Sequence, residues 1–171
     1  ALVPNAILVA LPLIDCRTKV RWIPLAIVLA GAASTLFLPQ QYAQSQEQRA
    51  TLNRLSRAIA PNVDNKTKCL WVFDGPTSLY KLSGSCLPTR YIYPDHLNNA
   101  LERNALGVEQ TDEVARILAN RPPIIVTADT KFTIQNEDAG QLVERAVTDH
   151  YRELTNGVLH GRTIRVWKRI D

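Results

Sequence analysis

The apolar positions of this chain fall into two regimes. Up to residue 38 they form long runs, and beyond it they recur at helix and strand spacings among charged residues. Trp22 to Leu38 carries no charge, and about 17 residues is the lower limit for crossing a bilayer as a helix. Leu2 to Ile14 is a second apolar run, too short to span alone, and reads as the tail of a truncated helix over 1–14. From Gln40 to Ala60 the chain is glutamine-rich, with a narrow helical stripe of Leu52, Leu55 and Ile59, ended by Pro61-Asn62. The pattern predicts a membrane segment over 1–38, a connecting helix over 39–64 and an α/β domain over 65–171.

Within that domain, Cys69-Leu70-Trp71-Val72-Phe73 reads as a buried strand closed by Asp74-Gly75-Pro76. Pro76 suits the first turn of a helix and Gly84 its end. Arg90-Tyr91-Ile92-Tyr93 then reads as a second strand closed by Pro94-Asp95, which makes Cys69 to His96 a βαβ unit. A helix from about His96 to Asn104 would turn Leu97 and Leu101 inward. Thr111 would cap another helix, with Val114, Ile117 and Leu118 buried and Arg121-Pro122-Pro123 as its stop. Ile124 to Thr127 is short and apolar, as a central strand is. Asn136 would cap a helix from Glu137 to about Leu154, ended by Asn156-Gly157. Thr163 to Ile170 alternates, with Ile164, Val166 and Ile170 on one face and Arg165 and Arg169 on the other. That predicts a half-exposed edge strand. The fold class expected is α/β: a small, mostly parallel sheet of about four strands with helices on its faces, preceded by a transmembrane helix.

Charge gives the membrane segment a direction. Asp15, Arg17, Lys19 and Arg21 are the only charges before residue 39, and the loop over 15–21 is basic. A short basic loop between two apolar runs is cytoplasmic by the positive-inside rule, so residues from about 39 onward fall outside the cytoplasm. Trp22 and Tyr42 flank the span as interfacial aromatics do, and Gly31 to Ser34 are small enough for close helix packing. The alternative is a buried helical hairpin in a soluble protein. A secretory signal fits poorly, because the basic residues follow the first apolar run. The net charge is +4, and half of it sits before residue 39. The remainder is near balance, with no basic stripe interleaved with aromatics, which argues against nucleic acid as a partner. The chain opens on Ala1 and contains no methionine, so it reads as the C-terminal piece of a longer protein.

The three cysteines agree with that sidedness. Cys16 lies in the basic loop, whereas Cys69 and Cys86 precede the first two predicted strands. If those strands are parallel neighbours, the two cysteines share one end of the sheet, at a spacing compatible with a disulfide. Two unpaired core thiols are the alternative. Spacings of the C-x-x-C type are absent, so no metal site is expected. Candidate ligand or pocket residues are Asp74, Tyr80, Arg90, Tyr93 and His96. Asp74 stands at the C-terminal end of a strand, where open α/β sheets bind ligands. Its plainer role is to bond backbone N–H groups of the Asp74-Gly75-Pro76 turn. His96 reads as a base or as a capping residue, and the tyrosines as pocket or core. His150 and His160 are isolated. Asp129 and Asp138 lie near loops without an assigned role, and Asn65-Lys66-Thr67 is a chance sequon. No catalytic triad, carboxylate pair, dinucleotide fingerprint or phosphate loop is present, so no catalytic residue and no cofactor are assigned to this segment.

Gly75-Pro76, Leu79-Tyr80, Pro88-Thr89-Arg90-Tyr91, Pro94-Asp95-His96-Leu97, Arg121-Pro122-Pro123 and the closing Trp167-Lys168-Arg169 carry a resemblance. The chain from about residue 20 to 171 resembles the C-terminal region of bacterial polytopic membrane glycosyltransferases, similar to protein mannosyltransferases and aminoarabinose transferases. That resemblance implies a bacterial inner-membrane protein with a periplasmic domain. It implies a polyprenyl-phosphate sugar as donor and a glycan or lipid as acceptor. It also implies that the catalytic acids lie in an early loop with no counterpart here. Two other readings remain open: a membrane-anchored periplasmic binding module, and a soluble Rossmann-like nucleotide-binding enzyme.

Overall fold

The computed structural model of the chain describes residues 22–103 and 105–170. The apolar run over 1–14 and the basic loop over 15–21 lie outside the described residues, as do most side chains of the expected span over 22–38. Among the described residues, no helix is long and apolar enough to cross a membrane. The chain divides into two compact units after Glu47.

The first helix, α1, is Trp22–Ile59, and a 3-10 turn over Ala60–Asn62 follows it. The second unit then contains β1 (Leu70–Val72), α2 (Ser78–Ser83), α3 (Asp95–Asn98), α4 (Gln110–Ala119), β2 (Ile124–Ala128), α5 (Glu137–His150), β3 (Tyr151–Leu159) and β4 (Arg162–Arg169). The fold is α/β with a four-stranded sheet in the order β1-β2-β4-β3. The sheet is mixed, which corrects the mostly parallel expectation. β1 pairs with β2 in parallel, but β4 is antiparallel to both of its neighbours. The cause is a hairpin: β3 and β4 are joined by His160-Gly161, with φ of 52° and 77°. Positive φ at both central residues is the two-residue turn whose twist matches paired strands.

Alternation along β1 builds two cores. Leu70 and Val72 face one way and join Leu55 and Ile59 of α1, Leu79 and Tyr80 of α2, and Ile164 and Val166 of β4. Trp71 and Phe73 face the other way and join Leu97, Val114, Ile117, Val143 and Val147. The buried Ala139, Val143 and Val147 of α5 recur every fourth residue, one stripe of a helix. Helices therefore cover both faces of the sheet, as the binary pattern required.

Several expected elements shift. Arg90 to Tyr93 is not a strand but an irregular strap between Pro88 and Pro94. The outer edge of β1 has no need of one. The Leu70 N–H donates to Ser85 Oγ at 2.7 Å and the Val72 N–H to Tyr80 Oη at 3.0 Å, so side chains satisfy that edge. The helix expected from His96 to Asn104 stops at Asn98, and Leu101 is exposed rather than inward. Asn99 there forms a bridge with Gln135 instead. α4 starts at Gln110 without a side-chain cap, so Thr111 lies inside it, and Leu118 is only partly buried. α5 ends at His150 and not near Leu154, because β3 begins at Tyr151 without a linker. β4 is an inner strand rather than an edge. Asn136 does cap α5, accepting from the Ala139 N–H, and Gly84 does end α2.

Gly157 is no helix stop either; it is a buried position of β3 pressed by α1. A Cβ there would stand 2.6 Å from Thr51 Cγ2 and 3.0 Å from Arg54 Nη2. Thr51 is β-branched and stiff at χ1, so the helix itself would have to move. Gly157→Ala is expected to lower the unfolding free energy by about 1–3 kcal/mol, read from the urea midpoint. An unchanged midpoint would mean that α1 is not seated on β3.

Candidate functional site

The C-terminal ends of the parallel pair β1 and β2 open onto a cleft of ≈560 Å³. Asp74 follows β1 into this cleft, and Asp129 follows β2. The strand directions dictate this: a parallel pair delivers both following loops to the same end. The second core forms the floor, through Phe73 and Trp167, and α5 forms the wall.

Asp74 is 7% exposed and Arg162 8%. Arg162 Nη2 donates to Asp74 Oδ2 at 2.6 Å, and Gln135 Nε2 donates to the same oxygen at 3.1 Å. Arg162 Nε also donates to the Thr130 carbonyl at 2.6 Å, and its guanidinium lies 4.2 Å from the Phe132 ring centroid. Burial pushes the Asp74 carboxyl above its ordinary range, while Arg162 and Gln135 pull it back. Asp74 thus ties the β1 turn to the β4 start and to the loop after β2. Its partners were not identified from the sequence. Arg162 is distant from it in the chain, and only the β3–β4 hairpin brings the two together.

The remaining candidate residues lie elsewhere. Tyr80 is buried in the first core, where its hydroxyl caps β1, and burial pushes its pKa up to about 12. Arg90, Tyr93 and His96 gather on the strap. Arg90 lies over the Tyr91 ring and donates to its hydroxyl at 2.6 Å, and the His96 ring stands edge-on to both Tyr91 and Tyr93. His96 Nδ1 is buried without a hydrogen-bond partner. Amide side chains fix the strap from beneath. Gln110 Nε2 donates to the His96 and Asn99 carbonyls, Asn136 Nδ2 donates to Gln110 Oε1, and Asn98 Nδ2 donates to the Phe73 carbonyl. Thr89 Oγ1 donates to Glu113 Oε1 at 2.6 Å, and the adjacent Arg116 holds the Glu113 carboxyl below its usual range. The strap is therefore held from beneath through Thr89 and the His96 carbonyl, while Tyr93 stays exposed.

Cys69 and Cys86 form a disulfide. The expected geometry differed, since no strand follows Cys86. The pair meets because the Cys86 N–H donates to the Asp64 carbonyl at 2.7 Å, which returns the chain to the start of β1. Among the described residues, no group of three or more His, Cys, Asp or Glu side chains is placed to hold a metal ion. The helix after the β1 turn has only six residues.

Two aspartates, half-buried Asp64 and exposed Asp129, make this frame sensitive to acid. The backbone N–H groups of Thr67, Lys66 and Lys68 hold Asp64 at about 2, against an ordinary value of 3.8. Hydrogen bonds from Thr163, from its side chain and its backbone, hold Asp129 at about 2 as well. Carboxyls depressed by folding contribute stability above their unfolded pKa and lose it as pH falls through the folded value. The urea midpoint should therefore drop as pH falls from about 4 to about 2. An Asp64→Asn, Asp129→Asn variant should lose less over that window, and a parallel decline in both proteins would refute the assignment.

Comparison of the chain with protein-family models, with curated proteins and with solved structures gave no match.

Proposed function

We infer that residues 65–171 are the extracytoplasmic domain of a membrane glycosyltransferase, a non-catalytic part of an enzyme that takes its sugar from a polyprenyl phosphate. The observation that carries this reading is the Cys69–Cys86 disulfide. Disulfides persist in oxidising compartments and are rare in the cytosol. This one follows an apolar segment whose preceding loop is basic, the order that puts the later part of the chain outside. Part of the family resemblance, Pro88 to Leu97, falls on one continuous segment, the strap and the start of α3, which Gln110 and Glu113 hold. In this reading the domain shapes the acceptor side of the enzyme, with the lipid bilayer as its support. The disulfide weighs against the cytosolic nucleotide-binding alternative. So does the turn Asp74-Gly75-Pro76, which has no glycine-rich loop to cradle phosphate.

The test is made in bacterial cells expressing the protein with its natural flanking sequence. A membrane-impermeant maleimide should leave Cys69 and Cys86 unlabelled until a reductant is added, in a chain that sediments with membranes. Vesicles supplied with radiolabelled polyprenyl-phosphate sugars should transfer label, and a protein lacking residues 65–171 should lose that transfer. Free thiols at both positions in unreduced cells, or transfer unaffected by the deletion, would overturn the reading.

A further inference from the structure

The helices on the second face of the sheet cover only half of it. Val114, Ile117, Val143 and Val147 pack on Trp71, Phe73 and Ile125 of β1 and β2. On that same face β4 presents Arg165 and Trp167, which stand in register with Asn156 and Glu153 of β3. Arg165, Asn156 and Glu153 are exposed. The ≈560 Å³ cleft lies between Arg165 and Trp167 on one side and the flank of α5 on the other. α5 offers Gly140, Gln141 and Glu144 there, and Gly140 leaves the helix backbone open, with only Gln135 Oε1 within 4 Å of where a Cβ would stand.

The chemistry of this lining is selective. Trp167 is half-buried, and its indole N–H donates to Thr127 Oγ1 at 2.8 Å. That bond fixes the ring and leaves its π-face as the surface it can offer. Among the described residues, the Glu144 carboxylate and the Arg165 and Lys131 cations make no hydrogen bond or ion pair. Glu144 accepts, Arg165 and Lys131 donate, and the glutamines do both. Among the described residues, the charges of the lining outside the Asp74–Arg162 pair are Asp129, Glu137 and Glu144 against Lys131 and Arg165, a slight acidic excess, so the cleft does not steer a polyanion. An acyl chain or an apolar helix would fit the apolar floor but would bury Glu144, Arg165 and Lys131 without partners. A sugar ring matches it: an apolar C–H face for an aromatic, and hydroxyls around the rim that both donate and accept. The volume falls within the ~300–1,000 Å³ usual for ligand sites.

We propose that this groove binds a neutral glycan, with Trp167 stacking on a sugar ring and Gln141, Glu144 and Arg165 bonding its hydroxyls. The proposal deepens the transferase reading, on which it rests for the domain's place on the acceptor side, by naming a ligand class and the groove that takes it. It leaves Asp74 out of the sugar contacts, since its Oδ2 is taken by Arg162 and Gln135.

The full chain, in a detergent without a sugar headgroup, is titrated with chitotetraose, cellotetraose and mannotetraose while the tryptophan indole resonances are followed. At least one saccharide should saturate and shift the Trp167 signal, with those of Trp22 and Trp71 unmoved. Gln141→Ala combined with Glu144→Ala should weaken that binding about tenfold or more, equivalent to about 1.4 kcal/mol. Both residues are exposed on α5 and alanine preserves a helix, so the variant keeps the fold; Arg165→Gln on β4 should weaken binding as well. Saturation by none of the three, equal affinity in both variants, or a shift confined to another tryptophan overturns the proposal. No sugar phosphate enters the titration, so its failure is distinct from failure of the transferase reading.

Discussion

Replacing Asp74 by alanine is expected to lower the unfolding free energy by about 3–5 kcal/mol, the usual cost of leaving one member of a buried ion pair alone. The side chains of Asp74 and Arg162 are 9% and 10% exposed, so most of the lost carboxylate's contacts have no replacement. Arg162→Met should cost a similar amount for the converse reason, and it also removes the donor to the Thr130 carbonyl. The double variant Asp74→Ala, Arg162→Met should be more stable than either single one, because no buried charge is left without its counterpart. Urea unfolding of the four proteins completes the cycle. A protein catalytically dead but undiminished in stability after Asp74→Ala would reverse the assignment, placing Asp74 among the reacting groups.

Removing the disulfide should have the next largest effect. Cys69 and Cys86 are separated by 17 positions, and closing a loop of that size contributes about 3 kcal/mol in the chain-entropy model. A Cys69→Ser, Cys86→Ser protein, or the wild type under reductant, should show that loss in its urea midpoint. The loss should also be local. β1 is a three-residue edge strand whose outer N–H groups rest on Ser85 and Tyr80, and the disulfide binds that supporting segment to it. Hydrogen exchange at Leu70 and Val72 should therefore accelerate before exchange in β2 does. Equal acceleration through the whole sheet would mean that the bridge stabilises only globally.

These two ties mark where sequence reasoning held and where it failed. Elements with a strong single period were legible: the α5 stripe of Val143 and Val147 with its Asn136 cap, the apolar β2, and the alternating β4. β3 was hidden because its own alternation is broken. The register shifts between Glu153 and Thr155, so Tyr151 and Leu154 sit at a spacing that also continues the helix before them. Arg90 to Tyr93 misled for the opposite reason: an aromatic run between prolines has strand composition, but a tyrosine hydroxyl and a serine hydroxyl already occupy the edge it would have paired with. The cysteine pairing was reached through a strand that does not exist. The Asp64 turn supplies the geometry instead, through hydrogen bonds that residue spacing does not reveal. Asp74 was legible as a position but not as a pair, since Arg162 reaches it only through the hairpin.

The offset in β3 has a consequence for crowding. β3 is a nine-residue strand at the end of the sheet, and a straight edge of that length is a template on which another chain can align. The shift between Glu153 and Thr155 breaks the row of backbone groups near its middle, and exposed Arg152 and Glu153 stand beside the break. A second copy can keep register on only one side of it. Copies held at high local density should therefore remain separate, without the strand-to-strand association that a regular edge would invite.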